Sequence, residues 1–129
     1  EVLIYDGDGQ FERLQTISTL PEDFSEFNGT AAIRLSADGR FLYGSNRGHN
    51  SIAVYKVAGD GTLELVEFVP TNGKNPRDFN ITPDQQYIIA AHQDSDNATV
   101  FKRDSETGKL TELSHDFFVP EGVCVAFTH

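Results

Sequence analysis

Apolar positions along this chain come in short runs separated by turn residues. Val2-Leu3-Ile4-Tyr5, Phe41-Leu42-Tyr43, Ile52-Ala53-Val54-Tyr55, Tyr87-Ile88-Ile89 and Thr99-Val100-Phe101 are all rich in β-branched and aromatic side chains. Gly, Asp, Asn or Pro bounds each of them, and such punctuated runs are the pattern of short strands. No segment sustains a 3.6-residue apolar spacing for three turns, so the pattern predicts an all-β chain with almost no helix.

The runs recur. Leu35-Ser36-Ala37-Asp38-Gly39 returns as Ile81-Thr82-Pro83-Asp84, with Asp84 lying 46 positions after Asp38. At the same offset Phe41–Asn46 is answered by Tyr87–His92, and Ile52–Lys56 by Ala98–Lys102. Asp60-Gly61-Thr62-Leu63 corresponds to Thr107-Gly108-Lys109-Leu110 one residue later, which marks a one-residue insertion. Each unit holds four short strands. Units of roughly 40 to 50 residues with four strands each match the blades of a β-propeller, which stack radially. The ends fit the same template: residues 1–20 copy the outer half of a blade, and Val123–Phe127 copies a first strand. The expected architecture is therefore a propeller fragment, with two complete four-stranded antiparallel blades over 31–75 and 76–122. Residues 21–30 form an inter-blade loop, and 123–129 open a closing blade. Such an arc cannot close a ring, so it is expected to need further blades or another chain to cover its faces and edges. A chain that opens directly into strand-like sequence is likewise expected to be a fragment.

Antiparallel alternation sorts the loops onto two faces. Ser36–Gly39, Ala58–Gly61, Thr82–Gln85 and Ser105–Gly108 share one face and are ordinary tight-turn sequences. The other face carries Asn46–Asn50, Thr71–Arg77, His92–Asp96 and Pro120–Gly122, and it holds most of the candidate chemistry.

Charge sharpens that contrast. With 20 acidic against 10 basic residues the net charge is -10, which argues against nucleic-acid or anionic-membrane partners. Any anionic ligand must then meet a local basic cluster, and Arg47, Lys74 and Arg77, with His49 and His92, gather on the second face. A guanidinium can grip a carboxylate or phosphate in two-pronged fashion and stabilise the oxyanion of an opening ester. Arg47, Arg77 and His92 are the candidate catalytic residues, His92 as a base. Asn46, His49, Lys74 and Gln93 are the candidate substrate contacts. The alternative for each is a loop residue paired with nearby Asp78, Asp94, Asp96 or Glu121, or a packed histidine.

Other signals carry less. Asp6–Gly9 and Asp94–Asn97 lack the closing glutamate of a calcium loop. The glycosylation sequons at Asn80 and Asn97 fall in or against predicted strands. Cys124, the one cysteine, lies in an apolar run and is expected in the core as a small hydrophobe. It offers no disulfide, and with no signal pattern at the start a cytoplasmic location is expected. No nucleophile elbow, metal-ligand pair or phosphate-cradling glycine loop is present, so no metal or cofactor is expected.

In order, Leu35–Tyr43 followed by Ser45-Asn46-Arg47, then Asn75-Pro76-Arg77-Asp78-Phe79, then Gln93–Asn97 leading to Thr107–Leu110, resemble the C-terminal third of the lactonase-type seven-bladed propellers. That family includes propeller 6-phosphogluconolactonases and muconate lactonizing enzymes. The resemblance implies a cofactor-free enzyme that opens an anionic sugar lactone, with Arg47 as an active-site arginine and the remaining catalytic groups on earlier blades. By that reading the fragment alone is inactive. A muconate-type cycloisomerase and a non-enzymatic scaffold for protein partners remain the alternatives.

Overall fold

The computed structural model describes residues 1–128, and among them it contains ten strands and no helix. They are β1 (Val2–Tyr5), β2 (Phe11–Gln15), β3 (Gly29–Leu35), β4 (Phe41–Arg47), β5 (Ser51–Val57), β6 (Leu63–Pro70), β7 (Pro76–Ile81), β8 (Tyr87–His92), β9 (Asn97–Arg103) and β10 (Leu110–Phe118). Each strand pairs antiparallel with its sequence neighbour within three sheets: the hairpin β1-β2, the blade β3-β4-β5-β6 and the blade β7-β8-β9-β10. The innermost strands β3 and β7 lie against each other.

The repeated turns fold by repeated chemistry. In the β3–β4 turn the Asp38 carboxylate accepts from the Ser36 hydroxyl (2.6 Å) and from Arg40 N (3.1 Å). The Ser36 hydroxyl, and then the Arg40 guanidinium, hold the Asp38 carboxyl far below the usual carboxylate range. One blade later Asp84 accepts from the Thr82 hydroxyl (2.5 Å) and from Gln86 N (3.1 Å). Both are local side-chain-to-backbone turns, as their composition predicts.

The core lies between the blades. Phe41, Tyr43, Ile52 and Val54 of the first blade form one buried cluster with Phe79, Ile81, Ile88, Ala90, Phe101 and Leu110 of the second. Polar bonds cross the same seam. Tyr43 donates its hydroxyl to Gly108 O (2.9 Å) and accepts from Arg103 Nε (2.8 Å); within the second blade Arg103 Nη1 donates to Gln85 O (3.0 Å). Leu110 N donates to Glu67 Oε1 (2.9 Å). The faces turned away from this seam stay apolar and open: Ile33 and Leu35 on one side, Leu113, Phe117 and Phe118 on the other.

Two sequence expectations change here. Residues 123–128, expected to open a closing blade, form no ladder strand. The segment is held along β7 by two side chains: Asn80 Nδ2 donates to Val125 O (3.1 Å), and Val125 N donates to an Asp78 oxygen (2.8 Å). Cys124 is consequently exposed rather than in the core. At the other boundary β3 starts at Gly29, since Gly29 and Thr30 pair with Arg47 and Asn46.

Removing the Tyr43 hydroxyl leaves two buried partners across the seam unsatisfied. Tyr43→Phe in the complete protein is expected to cost about 2–4 kcal/mol, measured by urea unfolding. A loss below about 0.5 kcal/mol would mean that the seam does not depend on this bond.

Candidate functional site

The innermost strands are both irregular at the same place. In β7 the register passes from Pro76↔His92 to Asp78↔Ala91, so Arg77 is an extra residue with no cross-strand partner. In β3 it passes from Thr30↔Asn46 to Ile33↔Gly44, so Ala31 and Ala32 together face one residue. A bulge of this kind re-aims a side chain out of the ladder. Ala31, Arg77 and Val123 follow one another at intervals of 46 residues. All three line a single open cleft of about 340 Å³, together with Ala32, Arg34, Arg47 and Asp78. Repeat-equivalent positions of β3, β7 and the segment after β10 thus meet at one point, at the axial end of the blades. The two candidate arginines come from different blades and share that cleft.

Arg47 ends β4 and lies half-buried across Gly29 of the neighbouring strand. A methyl group at Gly29 would stand 3.3 Å from Arg47 Nη2 and press on the guanidinium. The Arg47 Nε is buried and has no hydrogen-bond partner, and among the described residues Arg47 forms no ion pair. Arg77 is exposed, and its Nη1 donates to Gln93 Oε1 (3.0 Å). Gln93 therefore holds Arg77 in place. The third cation, Arg34, pairs with Asp78 at 2.8 Å. Three guanidinium groups against one carboxylate make a net positive cleft in an acidic chain, and among the described residues neither Arg47 nor Arg77 pairs with a carboxylate. Such an arrangement can hold a phosphate or carboxylate and stabilise an oxyanion.

The other expected site residues lie elsewhere. Asn46 is fully buried and clamps the long loop before β3: its amide donates to Thr19 O (2.6 Å) and Ser51 Oγ (3.2 Å), and its oxygen accepts from Asn28 Nδ2 (3.1 Å). His49 packs edge-on against Phe24 at 4.8 Å, with Nδ1 on Ser51 Oγ (2.7 Å). Lys74 is exposed and tied to the second blade through its backbone, N to Ser95 Oγ and O to Asp94 N. His92 is completely buried, with Nδ1 on Asn97 O (3.0 Å). It sits beneath Gly73, where any Cβ would overlap the imidazole. None of these four lines the cleft, and His92 is out of reach of a bound molecule there.

Arg34 and Asp78 are the cleft residues that sequence reasoning missed as site residues. A signal existed for both. Charged residues on an innermost strand depart from the repeat, because Arg34 corresponds to Asn80, and Asp78 to Ala32, at the 46-residue offset.

Radially stacked four-stranded meanders with a polar cleft at the axial end define the chain as an arc of β-propeller. Its residues 1–127 match the family described as lactonase, 7-bladed beta-propeller, and the chain belongs to that family. A protein of Lactobacillus plantarum superposes with a TM-score of 0.96 at 48% identity, covering 98% of this chain and 38% of its own. A protein of Bacteroides uniformis, provisionally named a 6-phosphogluconolactonase, has a TM-score of 0.87 at 42% identity, covering 98% and 36%. The periplasmic gluconolactonase PpgL of Pseudomonas aeruginosa has a TM-score of 0.87 at 34% identity, covering 92% and 33%. The chain likewise spans 37% of the length of the curated relatives it matches, for example at 58% identity in Lactococcus lactis subsp. cremoris.

Burial pushes the His92 imidazole below its ordinary pKa of 6.5, against a smaller opposing effect of its bond to Asn97. As pH falls through 6.5 the unfolded chain binds a proton that the folded protein refuses, so stability drops until the lower folded pKa is passed. Above pH 6.5 this histidine contributes no slope. His115, raised by its hydrogen bond to Glu112, acts in the opposite window: its contribution is complete below pH 6.5 and lost as pH rises through the raised value. His92→Gln is expected to flatten the decline in stability between pH 6.5 and about 5, followed by urea unfolding. An unchanged slope would contradict a buried neutral imidazole.

Proposed function

We propose that the complete protein opens the ring of an anionic sugar lactone, with a 6-phosphogluconolactone-like ester as substrate. The observation that carries this reading is the meeting of Arg47 and Arg77, from two blades, in one axial cleft of an otherwise acidic chain. Membership of the lactonase propellers supports it, and the provisional name of the Bacteroides uniformis relative suggests the phosphorylated substrate.

In this reading water attacks the lactone carbonyl carbon, the carbonyl oxygen becomes an oxyanion, and the ring carbon–oxygen bond then breaks. The attacking water loses one proton to a base, which returns a proton to the departing ring oxygen as a free hydroxyl, and the carboxylic acid formed ionises to the carboxylate by releasing its proton to solvent. Arg47, which lines the cleft and among the described residues has no carboxylate beside it, offers its guanidinium as a hydrogen-bond donor and a charge to the oxyanion. Arg77, steadied by Gln93, holds the remote anionic group. His92 and His49 are packed away from the cleft, so the base belongs to the remaining blades. Those blades are also what we expect to cover Ile33, Leu35, Phe117 and Phe118.

Loss of one oxyanion donor costs roughly 10²–10³ in rate. Arg47→Ala in the complete protein is therefore expected to lower kcat/KM for 6-phosphogluconolactone by about that factor, and Arg77→Ala to act mainly through KM. Gluconolactone, which lacks the phosphate, is expected to be hydrolysed less efficiently by the wild type and to be nearly indifferent to Arg77→Ala. Full activity in Arg47→Ala would end the assignment.

A further inference from the structure

Asp78 stands where β3, β7 and the segment 123–128 converge. One of its oxygens accepts from Arg34 Nη2 on β3 at 2.8 Å, and the other accepts from the Val125 backbone at 2.8 Å. The carboxylate side chain is 12% exposed, and Arg34 is further fixed by its own Nη1 bond to Ile33 O (2.9 Å). Repeat-equivalent positions carry Ala32 and Cys124, so the blade template does not demand an acid here. An acid at the mouth of a basic cleft opposes anion binding by simple Coulomb repulsion, and a fold without need of it must draw something else from it.

We propose that Asp78 is a positioning and specificity-setting residue of the cleft. It neutralises Arg34, leaving Arg47 and Arg77 as the two charges a ligand meets, and it fastens the segment after β10 that brings Val123 to the cleft wall. The charge balance it sets leaves one free guanidinium, Arg77, for a remote phosphate and one, Arg47, for the lactone oxygen. This deepens the lactonase reading and rests on it for the identity of the substrate, but anion binding is measurable without turnover. Arg34 in this arrangement is a counter-ion that acts through Asp78 and the field of the cleft.

The two roles of Asp78 separate in opposite directions. Asp78→Asn in the complete protein removes the charge and keeps only one acceptor, so two effects are expected together. Inorganic phosphate, titrated calorimetrically, binds about tenfold tighter, with a steeper dependence on ionic strength, while the melting temperature falls. A purely structural residue would weaken both. Arg34→Met is expected to weaken phosphate binding about tenfold, Arg34→Lys to retain it, and the double variant Arg34→Met/Asp78→Asn to return to near wild-type affinity. Phosphate binding by Asp78→Asn no tighter than wild type, or no recovery in the double variant, overturns the proposal, as does a wild type that binds no phosphate. A wild type that binds phosphate with the expected variant pattern yet hydrolyses no lactone leaves this inference standing and removes the lactonase reading instead.

Discussion

A four-stranded blade is apolar on both faces, and neither face can be buried by the blade itself. Everything else in this structure follows from the way two such blades cover each other. Ten residues from both form one cluster, so the core belongs to the seam rather than to either sheet. The buried Arg103 guanidinium at that seam is tolerable because Tyr43 Oη and Gln85 O accept from it and because it lies near the Phe41 and Tyr43 rings, 5.9 Å from each centroid. Only when the seam fixes the angle between blades do β3 and β7 run side by side at the axis.

That convergence makes the site. Bulges in β3 and β7 break the alternation of the pleat at equivalent positions, and the side chain freed in the second blade is an arginine. The repeat supplies the position and the bulge supplies the direction, while the departures from the repeat, Arg34, Arg77 and Asp78, supply the charge. A scaffold of near-identical units becomes a specific cleft only where the units differ.

The fold was legible because the period and the turn residues are local properties. Asp38 and Asp84 recur at a fixed interval and build the same turn, and strands rich in β-branched residues leave no room for helix. Arg47 and Arg77 were legible for the same reason, since alternation of strand direction puts both on one face. What could not be read were contacts between residues far apart in sequence. Asn46 and His49 look like ligand donors until Thr19, Asn28 and Phe24 of the long loop close over them. His92 ends its strand in the expected place, yet the Gly73 loop buries it. Arg34 and Asp78 lie 44 positions apart and reveal their partnership only across the seam. The strand expected at Val123–Phe127 has the right composition, yet the segment is held along β7 by the side chains of Asn80 and Asp78 without forming a ladder, and Cys124 is exposed.

The central claim is that the axial cleft between the two blades is where an anionic ligand binds. The structure of the complete protein crystallised with 6-phosphogluconate tests it most directly. The account predicts the carboxylate, which derives from the lactone carbonyl, within hydrogen-bonding distance of Arg47 and the phosphate within reach of Arg77, with Asp78 still on Arg34. A ligand bound at the tight-turn face, or between the β1-β2 hairpin and the first blade, would contradict it.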